Sequence, residues 1–276
     1  MKKCLPISVL LFLALLSITN TVLADNTYSV GVVPQFETRR ISQIWQPVLE
    51  EVSRRSGVKL ELKASPNIPQ FENQFNAGEF DFAYMNPYHA IVANEKQGYN
   101  PLLRDNGRSL YGIIVVKKDS PVQAVSQLDG KTVAFPAPNA LGAALLPRAE
   151  FDRNFHIKVN EIYVKSHSSV YLNVLLGKAT AGGGVQKTLA QQPDKIRDQL
   201  RILHKTSKVP PHPLSAHPRV DKSVLDKVKA EFLELGNSEE GKALLKKIPM
   251  KKIGSASMED YAPLRKMGLN KYYVGE

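Results

Sequence analysis

Cysteine is almost missing from this sequence of 276 residues, which contains Cys4 and no other cysteine. Cys4 stands before an apolar run, Leu5 to Ile18, in a segment that we expect to be removed from the mature protein. A mature chain without thiols forms no disulfide, no thiolate metal site and no cysteine nucleophile. A lipid-anchoring cysteine would have to follow the apolar run, so lipid attachment is not expected.

Long apolar segments are also lacking after residue 24, and none approaches the ~18 residues of a membrane-spanning helix. The first 24 residues begin with Lys2 and Lys3, continue with the apolar run, and end at Ala24 in a short segment suited to cleavage. This order is typical of a secretory signal. The alternative, an N-terminal anchor, would need ~20 apolar residues. We therefore expect residues 1–24 to be cleaved and the mature protein to lie in the periplasm, not embedded in a membrane.

Acidic residues are fewer than basic ones, 26 against 37, and the formal net charge is +11. The basic residues form no block with interleaved aromatic residues, so no nucleic-acid partner is predicted. The composition, 43% apolar and 23% charged, is that of a globular protein. The positive charge suits a basic surface near an anionic membrane or, more weakly, an anionic ligand.

Signatures of catalysis and of cofactor binding are absent, among them G-x-S-x-G and H-E-x-x-H. The tripeptide Gly130–Thr132 resembles the end of a phosphate-binding loop, but Val125 stands where that loop needs a glycine. The spacing of His204, His212 and His217 matches no metal signature. The sequence therefore predicts no enzyme, no cofactor and no metal site.

Two successive series of strands and helices follow the signal segment. The clearest helix has a single apolar stripe with helical spacing, formed by Ile41, Ile44, Trp45, Val48, Leu49 and Val52. Such a series predicts an α/β protein of two lobes with mostly parallel sheets. We place lobe 1 at residues 25–118 and lobe 2 at residues 119–210, with residues 211–276 returning to lobe 1 as C-terminal helices.

Polar residues stand where strands meet helices, the edge at which α/β sheets bind ligands. Tyr84 and Asn86 follow one strand, and either they contact a ligand or they are a core tyrosine and a capping asparagine. In the second series, Asn139 is a candidate N-cap for a helix. The N–H groups of Ala140, Leu141 and Gly142 would then be free to hold a ligand oxygen, unless this is a capped helix with nothing bound.

Two further segments of the second series are candidates for the same site. His167 and Ser168 open a helix, and they are either ligand donors or an ordinary cap. Gly183 stands in a triplet of glycines after a small-residue strand. These glycines allow either a close approach of a ligand to the backbone or tight packing at the end of the strand, and the sequence does not distinguish the two.

Several segments, in this order, carry a resemblance to a known family: Gly31–Gln35, Trp45–Leu49, Phe80–Tyr84, Lys117–Pro121, Leu128–Phe135 and Gly142–Arg148, followed by His167. Over nearly all of its mature length, the chain resembles the substrate-binding proteins of phosphonate, phosphite and phosphate ABC importers, the PhnD-like family. The resemblance implies a type II periplasmic binding protein fold, in which two lobes joined by a two-crossing hinge close over a ligand. It adds Gln35 to the candidate ligand contacts.

The resemblance also implies partners and a ligand class. We expect a monomer that captures a small oxyanion, similar to a phosphonate, phosphite or phosphate, and delivers it to an ABC permease. The alternative is a sensory subunit that binds a non-phosphonate ligand and reports to a membrane sensor such as a histidine kinase.

The expected pocket departs from the family pattern at several positions, although His167 matches the family histidine. The family's Ser-Thr-Ser-Gly stretch corresponds here to Asn139–Gly142, which removes hydroxyl donors. A pocket tyrosine of the family corresponds to Ile68, and no carboxylate stands near Thr180–Gly184, where the family contacts a ligand amine. Tight binding of an aminoalkylphosphonate is therefore not expected.

Overall fold

The structure is a computed structural model that describes residues 27–248 and 250–275. The expected signal segment, residues 1–24, lies outside the described residues. Within the described part of the chain, no helix is long and apolar enough to cross a membrane. The same residues contain no group of three or more His, Cys, Asp and Glu side chains that could hold a metal ion.

Within residues 27–248 and 250–275, eleven strands form two sheets. The first sheet has the order β11-β4-β10-β3-β1-β2 and consists of β1 (Thr27–Val32), β2 (Lys59–Lys63), β3 (Phe82–Tyr84), β4 (Asn100–Asp105), β10 (Leu214–Ala216) and β11 (Ile253–Ser255). The second has the order β7-β6-β8-β5-β9 and consists of β5 (Gly112–Lys117), β6 (Thr132–Phe135), β7 (Asn160–Tyr163), β8 (Ala181–Val185) and β9 (Leu200–Lys205). Both sheets are mixed, because β10 and β11 in the first and β5 in the second pair antiparallel with their neighbours.

The strand β5 corrects the predicted boundary between the lobes. Residues 25–118 were assigned to lobe 1, but β5 pairs with β8 and β9 and therefore belongs to the second sheet. The chain crosses between the lobes at residues 106–111, and it returns at residues 206–213. A fully buried apolar strand is compatible with either sheet, so the run LYGIIVVK did not reveal its partners.

The two crossings run side by side as an antiparallel pair. The N–H of Leu110 donates to the carbonyl oxygen of Val209 at 2.9 Å, and the N–H of Val209 donates back at 2.8 Å. The N–H of Gly112 donates to Oγ1 of Thr206, and the N–H of Thr206 donates to the carbonyl oxygen of Gly112. The connection between the lobes is therefore a short hydrogen-bonded ribbon rather than two separate linkers.

Helices cover both sheets. They are α1 (Thr38–Ser56), α2 (Ile68–Asn76), α3 (Pro87–Gln97), α4 (Leu146–Glu150), α5 (His167–Leu175), α6 (Gln186–Ala190), α7 (Asp194–Arg197), α8 (Lys222–Leu235), α9 (Glu239–Lys247) and α10 (Ala262–Arg265). Wider π-helical turns, Leu141–Leu145 and Phe151–Phe155, extend α4 at both ends, and 3₁₀ turns occur at Val125–Leu128, Met258–Tyr261 and Leu269–Lys271.

The helix α1 illustrates how local sequence sets the elements. Five residues of its predicted apolar stripe are buried, namely Ile41, Trp45, Val48, Leu49 and Val52. The helix ends at Gly57, whose φ of 68° is readily adopted by glycine. The C-terminal helices α8 and α9 pack on α1, so they lie against the first lobe.

The last residues of the chain contact both lobes. On the first lobe, Arg265 pairs with Glu95 of α3. On the second, Nζ of Lys271 lies 3.0 Å from a carboxylate oxygen of Asp152. We call residues 262–275 the C-terminal strap, because they connect the lobes outside the hinge.

Candidate ligand-binding site

A small cavity of about 10 Å³ lies between the lobes, close to the carboxyl ends of β1, β3, β6, β7 and β8. This volume holds about one water molecule, so the lobes are closed in the structure. The residues that line it are Val33, Gln35, Ile68, Asn86, Ala140, Leu141, Gly142, Ala143, His167, Val185 and His212. Six of the predicted site residues are among them: Gln35, Asn86, Ala140, Leu141, Gly142 and His167.

Asn86 joins the N-terminus of α3 to the opposite lobe. Its Oδ1 accepts hydrogen bonds from the N–H groups of Tyr88 (2.9 Å) and His89 (2.8 Å), so it caps α3, which is one of the two roles that the sequence left open. Its Nδ2 donates to the carbonyl oxygen of Asn139 at 3.1 Å. The side chain is buried, and each hydrogen-bonding group that it offers is already used at least once.

The turn Leu141–Leu145 presents free backbone donors at the cavity. The N–H groups of Ala144 and Leu145 both donate to the carbonyl oxygen of Ala140. No residue in the described part of the chain accepts from the N–H groups of Leu141, Gly142 or Ala143. Free N–H groups at the start of a helix attract an anion, through hydrogen bonding and through the partial positive charge of the helix end.

Asn139 does not cap this helix, contrary to prediction. The residue before the helix is Ala140, and no side chain caps it. The Nδ2 of Asn139 donates to the carbonyl oxygen of Val274 at 2.6 Å and to Oε2 of Glu72 at 3.1 Å, while its Oδ1 accepts from the N–H of Val274 at 2.8 Å. Asn139 therefore ties the second lobe to the C-terminal strap and to α2, and it does not line the cavity.

His167 is a buried residue at the start of α5, with 2% of its surface exposed. Its Nδ1 lies 3.2 Å from Oγ1 of Thr188, and its backbone N–H donates to the carbonyl oxygen of Gln35 across the lobes at 3.4 Å. Burial lowers the pKa of the imidazole to about 4. His167 is therefore neutral at pH 7 and offers a ligand a neutral donor or acceptor rather than a charge.

His212, from the returning crossing, is a second buried imidazole in the cavity. It stacks on the ring of Tyr84 with 5.4 Å between ring centroids. Burial, reinforced by the positive charge of Arg108, holds its pKa well below the usual range. The cavity is thus lined by two neutral imidazoles, two amide side chains and apolar groups, without a charged side chain among its described lining residues.

Besides Asn139, three predicted residues lie outside the cavity lining: Tyr84, Ser168 and Gly183. Tyr84 faces a neighbouring cavity between α1 and α6. Ser168 accepts a hydrogen bond from Nε2 of Gln192, while Ser166 caps α5 by accepting from the N–H of Ser169.

Gly183 serves packing rather than ligand contact. A Cβ on this residue would lie 1.8 Å from the carbonyl oxygen of Ala143 and 2.7 Å from the ring of Phe135. Only glycine allows the turn Leu141–Leu145 to lie so close to β8. Of the two alternatives that the glycine triplet offered, tight packing accounts for Gly183.

Sequence reasoning missed His212, Val33, Val185 and Ala143 as lining residues and treated Ile68 only as a departure from the family. The spacing of His212 from the other histidines matches no metal signature, and its position in the cavity lining depends on the path of the crossing. Val33 and Val185 stand at carboxyl ends of strands, so the rule that located Asn86 was also applicable to them.

A family model described as "ABC transporter, phosphonate, periplasmic substrate-binding protein" matches residues 30–261. The chain belongs to this family. Among curated members of the phosphonate-binding family, the "Phosphonates-binding periplasmic protein" of Escherichia coli (strain K12) is 19% identical over 266 residues, which cover 91% of this chain and 78% of that protein.

Solved structures of similar proteins support the fold described above. A binding protein component of an ABC phosphonate transporter from Pseudomonas aeruginosa superposes with a TM-score of 0.79 at 18% identity, covering 89% of this chain and 86% of that chain. PhnD1 from Prochlorococcus marinus (MIT 9301), in complex with methylphosphonate, has a TM-score of 0.81 at 14% identity, covering 91% and 100%. The predicted type II periplasmic binding protein fold is therefore confirmed.

Proposed function

We propose that this protein captures a small phosphorus oxyanion between its lobes and delivers it to an ABC permease. The observation that carries the proposal is the set of free N–H groups of Leu141, Gly142 and Ala143 at the inter-lobe cavity of a phosphonate-binding family member. Leu141 and Gly142 lie in the stretch that corresponds to the family's Ser-Thr-Ser-Gly segment, which supports the proposal. In the same proposal, the protein acts in the periplasm as a monomer and catalyses no reaction.

Neutral donors would hold the oxyanion in this site. The helix end supplies a partial positive charge, and His167 supplies a neutral imidazole beside it. The hydroxyl donors that the family places in this turn are replaced by Ala140 and Leu141. Since a net hydrogen bond to a charged group is worth ~1.5–3 kcal/mol, we expect weaker binding than in a site with those hydroxyls.

Capture requires the lobes to separate, because a phosphonate is larger than the water-sized cavity. The polar contacts that must part include Asn86 to Asn139 (3.1 Å), Asn139 to Glu72 (3.1 Å), His167 to Gln35 (3.4 Å), and the guanidinium of Arg40 to the carbonyl oxygen of Gln191 (3.0 Å), together with the contacts of the C-terminal strap to one of the lobes. These polar contacts can be exchanged for water when the lobes open, so opening by hinge motion is energetically accessible.

Calorimetric titration of the mature chain tests the proposal. The panel contains methylphosphonate, phosphite, phosphate, 2-aminoethylphosphonate and sulfate. We expect saturable binding of at least one of the first three and weaker binding of sulfate and of 2-aminoethylphosphonate. Binding of sulfate without binding of any phosphorus oxyanion would overturn the proposal. Delivery is tested by co-purification with the permease encoded beside the gene.

A further inference from the structure

A second cavity, of about 20 Å³, adjoins the first and is also bounded by both lobes. The two cavities share Val33 and Gln35 as lining residues. The second is closed on one side by α1 and Tyr84, and on the other by Lys187 and Gln191 of the α6 region, and the exposed residue Lys247 of α9 also lines it. It therefore extends the proposed ligand site toward a region of different chemistry.

Lys187 is a half-buried cation in the wall of this second cavity. Its ammonium makes no hydrogen bond or ion pair with any residue of 27–248 or 250–275. Burial lowers the pKa of Lys187, and the positive charges of Arg108, Lys251 and Lys246 lower it further. A cation that is partly desolvated and repelled by its neighbours gains stability when an anion binds beside it.

The negative charge of Asp105 raises the pKa of Lys187, but the carboxylate oxygens of Asp105 already accept hydrogen bonds from other groups. Its two oxygens accept hydrogen bonds from the N–H groups of Gly107 (2.9 Å), Lys251 (3.0 Å) and Lys252 (3.2 Å). The guanidinium of Arg108 lies 3.3 Å from the same carboxylate. Asp105 is therefore committed to the loop around it, and its attraction does not offset the three cations near Lys187.

Tyr84 supplies a second polar group to this cavity. Only 2% of its surface is exposed, and its hydroxyl has no hydrogen-bond partner within the part of the chain that the structure describes. Burial raises the pKa of this hydroxyl, so it keeps its proton and remains a donor. A largely buried hydroxyl that makes no hydrogen bond to the protein is available to donate to an acceptor that enters the cavity.

We propose that the second cavity is an anionic subsite, in which Lys187 and Tyr84 hold an acidic substituent of the ligand. This inference rests on the proposed function: the phosphoryl group binds at Leu141–Ala143, and a carboxylate reaches the second cavity past Val33 and Gln35. The ligand class is then a phosphonocarboxylate. An aminoalkylphosphonate is disfavoured, since its ammonium would meet Lys187 and no carboxylate lines either cavity among their described residues.

The test compares phosphonoacetate, methylphosphonate and 2-aminoethylphosphonate by calorimetry on the mature chain and on Lys187→Met. We expect the wild-type protein to bind phosphonoacetate at least tenfold more tightly than methylphosphonate. Lys187→Met should abolish that preference while methylphosphonate binding changes less than twofold. Lys178→Met, at the exposed far end of α5, removes the same charge and should leave all affinities unchanged.

The outcomes separate the two proposals. Methylphosphonate binding without a preference for phosphonoacetate overturns the subsite and leaves the proposed function standing. A preference that survives in Lys187→Met also overturns the role of Lys187. Absence of binding for all three compounds overturns the subsite, and the proposed function is overturned as well only when phosphite and phosphate also fail to bind. If Lys187→Met does not fold, as judged by its melting transition, Lys187→Gln replaces it, and the wild-type preference remains decisive by itself.

Discussion

The imidazole of His167 links protonation to folding, because its pKa differs between the folded and unfolded chain. The folded-state pKa is about 4, below the ordinary value of 6.5 that the unfolded chain retains. The unfolded state therefore binds the proton more readily, and the free energy of unfolding falls as the pH decreases from about 6.5 to 4. Above pH 6.5 both states are neutral at this residue, and the full stability is present.

We predict a loss of about 2 kcal/mol in the free energy of unfolding between pH 7 and pH 5 from His167. Chemical denaturation at the two pH values measures it. The variant His167→Gln should lose less stability over this range, since it has no titrating group there. His212 shifts in the same direction, so some dependence remains in the variant. A variant as pH-sensitive as the wild type would contradict the assignment.

Adding a hydroxyl at the start of the turn Leu141–Leu145 should strengthen oxyanion binding. Ala140 lines the cavity and precedes three free N–H groups, so a serine there adds a donor beside them. We predict that Ala140→Ser tightens methylphosphonate binding about fivefold to tenfold, equivalent to about 1 kcal/mol for one hydrogen bond. Calorimetric titration measures the dissociation constant.

The control for this prediction is Ser168→Ala. Ser168 bonds to Gln192 outside the cavity lining, so its removal should change the affinity less than twofold. A strong loss of affinity in Ser168→Ala would place the ligand nearer α5 than we propose. An unchanged affinity in Ala140→Ser would remove the turn from the site.

Long-range contacts explain which single residues the sequence could not assign. Asn139 has the residue type and local position of an N-cap, but its side chain pairs with Val274, which is 135 positions away. No local pattern contains that partner. Asn86, by contrast, caps α3 through N–H groups two and three residues ahead, and the local sequence already offered this role beside ligand contact.

At the scale of elements, the packing of the turn Leu141–Leu145 on β8 depends on Gly183. We predict that Gly183→Ala destabilises the protein by about 1–3 kcal/mol, because its Cβ would overlap the backbone oxygen of Ala143. Thermal or chemical unfolding measures the change. Gly275→Ala is the control, since the residue is exposed and its Cβ would come no closer than 3.3 Å to the ring of Tyr273. Equal effects of the two substitutions would contradict this explanation.

Helices and strands were predictable where their apolar residues fall on one face of the element. The helix α1 has an apolar stripe with helical spacing and a terminal glycine, so its position follows from neighbouring residues. The strand β5 was recognised as a strand but assigned to the wrong lobe. It is buried on both faces, and its pairing with β8 and β9 joins residues far apart in the chain.

At the scale of the whole molecule, Asn139 is the residue through which the C-terminal strap holds the lobes together. We predict that Asn139→Ala increases the radius of gyration of the ligand-free protein, because it removes the hydrogen bonds to Val274 and Glu72. Small-angle X-ray scattering measures this. The control, Asn160→Ala, removes a bond to Gly130 within the second lobe and should leave the radius unchanged. Equal radii in both variants would show that the strap does not restrain opening.

Because the two crossings are paired, the second lobe is one continuous segment that leaves and rejoins the first lobe at neighbouring points. It is encoded without interruption between residues 112 and 205, and its two ends meet at the register pair Ile113 and Lys205. A module that enters and leaves its host at adjacent points can be exchanged as one piece without relocating any other strand. We therefore expect an exchange of this single continuous segment between relatives to transfer the part of the ligand preference that depends on Ala140–Ala143, His167 and Lys187.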